Sequence, residues 1–187
     1  MNDQVLVLKR NNMDDLTFRK LLLKMSFCVM ACDGDIDPQE IQLIRALDLE
    51  DNLFQIEDID LRLSNMLNEI NEKGLGFLRS LISELKSIEL TQDQELKLVE
   101  VAIKMIEADD VVLYSEIKFF KVIHSQINLT DEEILSNFAH INDIEFYVGQ
   151  DIKAGNYIEK ISSDYFNNHE LPEFSAISEI ENMVKKK

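Results

Sequence analysis

The amino-acid sequence predicts an all-α protein, a single bundle of about seven helices with an internal pseudo-twofold repeat. Apolar residues recur at helical spacing through most of the 187 residues, and no stretch alternates convincingly enough to build a sheet. Because the chain has only 5 Gly and 2 Pro, with many Leu, Ile, Glu and Lys, its composition favours helices joined by short connections.

The first three helices have recognisable ends. Asp14 or Asp15 can cap the segment DDLTFRKLLLKMSFCVMAC, which ends at Gly34. Asp37 opens the second helix, DPQEIQLIRAL, as its N-cap residue. The third, within LFQIEDIDLRLSNMLNEINEKG, has apolar residues at helical spacing and closes on Gly74.

Four further segments complete the helical body. GFLRSLISELKSI is amphipathic, and Thr91, followed by Glu95, opens the strongly apolar segment TQDQELKLVEVAIKMIEADD. YSEIKFFKVIHSQI and TDEEILSNFAHI are the sixth and seventh helices.

The two ends of the chain lie outside this helical domain of residues 13–140. Residues 1–12 form an N-terminal arm, in which Val5 to Leu8 could be a short strand. Residues 141–187 form a C-terminal extension, predicted as an irregular strap followed by a short helix, SAISEIENMV. The strap either packs on the bundle or docks a partner or a second subunit.

The charge narrows the classes of partner. With 36 acidic and 19 basic residues, the net charge is −17, which disfavours nucleic acids and anionic lipid surfaces and favours cations and basic proteins. Simple solubility is the alternative explanation. The longest apolar tract, Leu21 to Cys32, is too short for a membrane span. With no signal peptide and no disulfide framework recognised, we expect a cytoplasmic protein without membrane insertion.

Four carboxylates crowd the corner between the first two helices: Asp33, Asp35, Asp37 and Glu40. In a capping box, Asp37 is the N-cap residue and Glu40 the N3 partner, which explains these two without any ligand. Capping explains Asp33 and Asp35 poorly, because a carboxylate near a helix C-terminus meets the negative end of the helix dipole.

The same spacing returns 76 residues later, since 109 − 33 and 116 − 40 are both 76. Asp109 and Glu116 keep the spacing of Asp33 and Glu40, and apolar residues of the flanking helices also correspond. Leu113 stands where Asp37 would be, and leucine cannot cap. We therefore expect the shared Asp-x6-Glu spacing to reflect a hard cation, calcium or magnesium, held between helix ends. An EF-hand is disfavoured because the apolar helix occupies the first half of such a loop.

The first corner resembles the TerB-like family, whose all-α domains carry a duplicated motif of Ala, Asp, Gly, Ile and Glu. Ala31, Asp33, Gly34, Ile36 and Glu40 match it. In the second copy, aspartate and valine replace the glycine and the isoleucine.

The resemblance covers about residues 13–140 and implies a role in tellurite resistance and stress responses. It also implies divalent-metal binding, with a TerC-like membrane protein or TerD-type proteins as partners, and it implies no catalytic activity.

Three hypotheses follow. In the first, the chain is a non-enzymatic cation-binding adaptor or sensor in tellurite or metal stress. Its primary ligands would be Asp33, Glu40, Asp109 and Glu116, and its auxiliary ligands Asp35, Asp37 and Asp110. In the second, it is a metal-independent scaffold whose acidic face docks a basic protein. In the third, it is a hydrolase using two carboxylates, although no His, Ser or Lys is grouped with them in sequence.

Overall fold

The computed structural model describes residues 13–109, 111–149 and 156–184, which form ten helices and no strand. The all-α prediction is confirmed for these residues, whereas the N-terminal arm and Asp110 lie outside them. None of the helices in these ranges is long and apolar enough to cross a membrane. In chain order the helices are α1 (Asp15–Ala31), α2 (Pro38–Asp51), α3 (Ile59–Lys73), α4 (Leu75–Ser87), α5 (Gln92–Ile106), α6 (Tyr114–His124), α7 (Asp131–Asn137), α8 (Glu145–Val148), α9 (Tyr157–Asn168) and α10 (Ile177–Val184).

Helices α1 to α7 correspond to the seven predicted segments, and local capping explains several of their starts. Asp14 accepts the backbone N–H of Thr17 at 3.0 Å and so caps α1. At α5 the capping box pairs Thr91 with Gln94, whose side-chain oxygen accepts the Thr91 N–H at 2.9 Å. Glu95 is instead buried and accepts two hydrogen bonds from Asn128.

The core forms around α1 and α5, the two helices that precede the acidic corners. These helices pack against each other more extensively than any other pair in the described part of the chain, as their shared apolar length predicts. Phe27 and Met105 are completely buried, and Phe27 also meets the Phe77 ring edge-on at 5.8 Å between centroids. Burial of the C-terminal ends of α1 and α5 in one core brings the two corners to the same region of the molecule.

The C-terminal extension is more helical than the sequence predicted. The segment expected to be an irregular strap contains α8 and the twelve-residue helix α9, which packs against α6 through Tyr157, Ile161 and Tyr165. The prediction of about seven helices therefore falls short of the ten present in the described ranges. Beyond α9 the chain is extended up to α10, which packs on α2, where Arg45 forms an ion pair with Glu181.

Candidate functional site

The first corner is held together by its own carboxylates. An Asp33 side-chain oxygen accepts the backbone N–H of Asp35 at 2.9 Å, and Asp35 in turn accepts the N–H of Ile36 at 2.9 Å. Asp37 accepts the N–H of Gln39 at 2.7 Å, while Glu40 accepts the N–H of Asp37 at 2.8 Å. The predicted capping box at α2 is therefore confirmed.

The second corner repeats two of these hydrogen bonds. Asp109 accepts the N–H of Val111 at 3.0 Å, and Glu116 accepts the N–H of Leu113 at 2.6 Å. Leucine has no side-chain acceptor, but the glutamate half of a capping box needs only the backbone N–H of the N-cap residue. Capping therefore explains the glutamate of the shared spacing at both corners even though Leu113 cannot cap, whereas each aspartate accepts the backbone N–H two residues later, a turn contact outside the capping box.

Burial distinguishes the two glutamates from ordinary capping residues. Glu40 and Glu116 are each only 6% exposed. The pKa of Glu40 is raised to about 9, mainly by desolvation; the Asp37 N–H opposes this rise, and the charges of nearby carboxylates (Asp33, Glu116 and Asp109) add to it. Desolvation likewise raises the pKa of Glu116 to about 7, with Asp33 and Asp109 again contributing. Burial also raises the pKa of Asp33.

These mutual interactions define a group of four carboxylates, the acidic centre: Asp33, Glu40, Asp109 and Glu116. Within the described residues, none of the four is ion-paired with a lysine or an arginine. Each uses one oxygen for a backbone N–H, and its second oxygen has no hydrogen bond in the same ranges. The two corners thus place their carboxylates near one another, each with one oxygen that is not hydrogen-bonded by any described residue.

The two auxiliary candidates that the structure describes, Asp35 and Asp37, lie beside the centre at the first corner, where burial and, to a lesser extent, the charge of Asp35 raise the pKa of Asp33. Asp35 is exposed and Asp37 half-buried, and neither is among the charges that act on the two buried glutamates. Asp110 lies outside the described residues. In the described part of the chain, no group of three or more His, Cys, Asp or Glu side chains is arranged to hold a metal ion. The carboxylates therefore form no preassembled cage there.

His169 is a residue that the sequence reasoning missed. Its Nε2 atom is buried without a hydrogen-bond partner in the described ranges, and the imidazole lies close enough to Asp33 to oppose slightly the burial that raises the pKa of that carboxyl group. The ring stacks on Tyr165 at 5.0 Å between centroids, and the Tyr165 hydroxyl donates to the carbonyl of Cys32. Because this histidine follows α9, far along the chain from both corners, no spacing in the sequence indicated it.

The fold and this centre define an acidic, all-helical protein with two buried and electrostatically coupled glutamates. No protein-family model, curated protein or solved structure matches the chain. The resemblance to the TerB-like family remains a prediction that rests on the motif residues themselves.

Proposed function

We propose that the chain binds a divalent cation at the acidic centre and acts as a non-enzymatic adaptor or sensor. One observation carries this proposal: two buried glutamates from different helices interact with the same two aspartates, and no basic side chain of the described residues pairs with any of the four. Burying like charges together is costly unless a proton or a cation neutralises them.

The available donors favour a hard cation. The four side chains of the centre offer carboxylate oxygens, which calcium and magnesium prefer, and one oxygen of each has no hydrogen bond within the described residues. Since these side chains form no preassembled cage, the proposal includes their rearrangement on binding. The nearby His169 nitrogen is a reason to test manganese as well, because imidazole suits transition metals.

The wider role follows the resemblance to the TerB-like family. We propose a cytoplasmic protein of tellurite or metal stress responses, in which cation occupancy controls association with a TerC-like membrane protein or TerD-type proteins. The pseudo-twofold relation between the two helix–corner–helix units belongs to the same proposal. Its support is the matched pair of hydrogen bonds at Asp33 and Glu40 and at Asp109 and Glu116.

A second candidate is a metal-independent scaffold that docks a basic protein partner. The observation that favours it is that every carboxylate of the centre accepts a backbone N–H, so local hydrogen bonds explain its position without a ligand. In this case Glu40, with its raised pKa, holds a proton instead of sharing a cation.

Calorimetric titration of the chain with calcium, magnesium and manganese separates these candidates. We expect saturable binding of at least one cation, lost when Glu40 and Glu116 are both changed to Gln. Glutamine preserves the capping contact, since Gln94 makes it at α5. The matched control changes the solvent-accessible Glu132 and Glu133 to Gln, which removes the same charge at α7. Equal affinity in the two double variants, or no binding by the parent, would refute cation binding and leave the scaffold.

A further inference from the structure

Four consecutive apolar residues lie exposed at the second corner. Val111, Val112, Leu113 and Tyr114, the apolar strip, are 55, 48, 42 and 54% exposed. Isolated exposed apolar side chains are ordinary, whereas a continuous exposed run has a solvation cost and marks an interaction surface in functional proteins. The capping contact at α6 does not require apolar side chains at these positions, because Glu116 bonds only the Leu113 backbone N–H.

The first corner shows how such a loop is covered. Ile36, which corresponds to Val112 in the 76-residue offset, is only 4% exposed. It lines one cavity with Pro172, Phe174 and Ile180 of the C-terminal extension. The Asn71 side chain holds that segment in place, accepting the Phe174 N–H and donating to the Phe174 carbonyl, both at 2.9 Å.

The corresponding surface at the second corner has no such cover from the described residues. Val112 instead lines an open groove of about 600 Å³ together with Phe138 and Ile141. Two glutamates, Glu100 and Glu107, stand at its edge. The groove therefore offers an apolar floor beside carboxylates, on a chain whose net charge is −17.

The charges at the groove decide between occupants. Glu100 is paired with both Lys97, at 2.9 Å, and Lys104, at 2.8 Å, whereas Glu107 accepts the Tyr147 hydroxyl at 3.1 Å and has no ion pair among the described residues. A second copy of the chain would bring another 17 negative charges to the interface, which opposes self-association. A basic partner would instead be attracted by the same negative charge.

We propose that the apolar strip and its groove bind an apolar segment flanked by basic residues on a protein partner. The apolar side chains of that segment would pack on Val112, Phe138 and Ile141, as the chain's own Pro172 to Ile180 segment packs at the first corner. Its lysines or arginines would face the carboxylates at the edge of the groove. This surface shares only the backbone N–H groups of Val111 and Leu113 with the acidic centre, and its side chains are available whether or not that centre binds a cation.

The test uses the full chain and a fluorescent eight-residue peptide in which Val-Leu-Val-Leu is flanked on each side by two lysines. Fluorescence anisotropy should show saturable one-to-one binding at about 50 mM salt, weakening at about 200 mM because the Debye length falls. Replacing Val112 and Leu113 by Ser should weaken binding roughly tenfold, through lost apolar contact. Serine at position 113 keeps the backbone N–H and can cap α6, so the fold is preserved.

Two controls make the outcome decisive. Changing the exposed Leu49 and Leu61 to Ser removes a similar amount of apolar surface elsewhere and should alter affinity less than twofold. A peptide with the four aliphatic residues replaced by serine should bind far more weakly. Equal binding by both double variants, or no saturable binding, would overturn the proposal. So would a dimer in sedimentation that strengthens with salt and dissociates in the Val112 and Leu113 variant, since the occupant would then be a second copy.

Discussion

Raising the pH in cation-free buffer should destabilise this protein through its two buried glutamates. The pKa of Glu40 is raised to about 9 and that of Glu116 to about 7, whereas a glutamate in the unfolded chain titrates near its ordinary pKa of 4.5. Between these values the folded state keeps protons that the unfolded state has lost. The contribution of these two groups to the free energy of unfolding is therefore highest below about pH 4.5 to 5. It falls as the pH rises through the folded pKa values.

The size of the effect follows from the number of protons. One retained proton changes the free energy of unfolding by about 1.4 kcal/mol per pH unit. From pH 5 to 7 the contribution of Glu40 alone approaches about 2 to 3 kcal/mol on this scale. Glu116 adds a smaller amount, because its folded pKa of about 7 lies closer to the unfolded value and it has begun to lose its proton by pH 7.

Urea unfolding followed by circular dichroism at pH 5, 6 and 7, in the presence of a chelator, measures this slope. The parent and the Glu132 and Glu133 control variant should both lose stability as the pH rises. The variant with glutamine at positions 40 and 116 should lose much less, because glutamine does not titrate and still caps the helices. An identical slope in all three proteins would mean that general acidic self-repulsion causes the pH dependence and that the buried glutamates contribute nothing specific.

Three other perturbations test separate parts of the structure. Low-millimolar calcium or magnesium should raise the melting temperature more than sodium chloride of equal ionic strength. A cation at a hundredfold excess over its Kd should stabilise the folded state by about 2.7 kcal/mol. This additional stabilisation should be absent when both buried glutamates are glutamine. Gly34→Ala should lower the free energy of unfolding, measured with urea, by about 1 to 2 kcal/mol, because Gly34 has φ +94° and an added Cβ would lie 3.2 Å from the Pro172 side chain. An unchanged free energy of unfolding would show that the loop relaxes freely. Asn71→Ala should increase hydrogen exchange around Phe174, since it removes both bonds to that backbone; unchanged exchange there would show that apolar packing alone holds the segment.

The sequence predicted the helices that have local signals and missed α8 and α9, of which the longer, α9, depends on tertiary contacts. Asp14 and Thr91 mark helix starts through their own side chains, so α1 and α5 were found. Helix α9 has aromatic and polar residues of moderate helix propensity, and it is stabilised by packing Tyr157 and Tyr165 against α6. Because that contact joins segments distant in sequence, it leaves no local signal in the sequence. The apolar periodicity of α9 alone was too weak to indicate a helix.

The candidate site was likewise predictable only where the sequence contains a direct signal for it. The 76-residue offset identified Asp33 with Asp109 and Glu40 with Glu116, and the structure brings charges from both corners together. The sequence could not show that both glutamates are buried. Glu133 fills the same N3 position at α7 yet remains solvent-accessible, so the motif alone does not determine exposure.

Among the described residues, four helices use a glutamate or a glutamine to bond the N-cap backbone, and the comparison among them separates capping from charge. At α5 a glutamine makes this bond, so a negative charge is not needed for it. At α7 a glutamate makes it in contact with solvent, where its charge costs little. At α2 and α6 the glutamates are buried beside each other and beside two aspartates, where a neutral glutamine would avoid much of the desolvation cost. Capping thus explains the positions of Glu40 and Glu116 but not their acidity. A bound proton or a bound cation must balance that acidity, and the variant with both glutamates changed to glutamine removes the need for either.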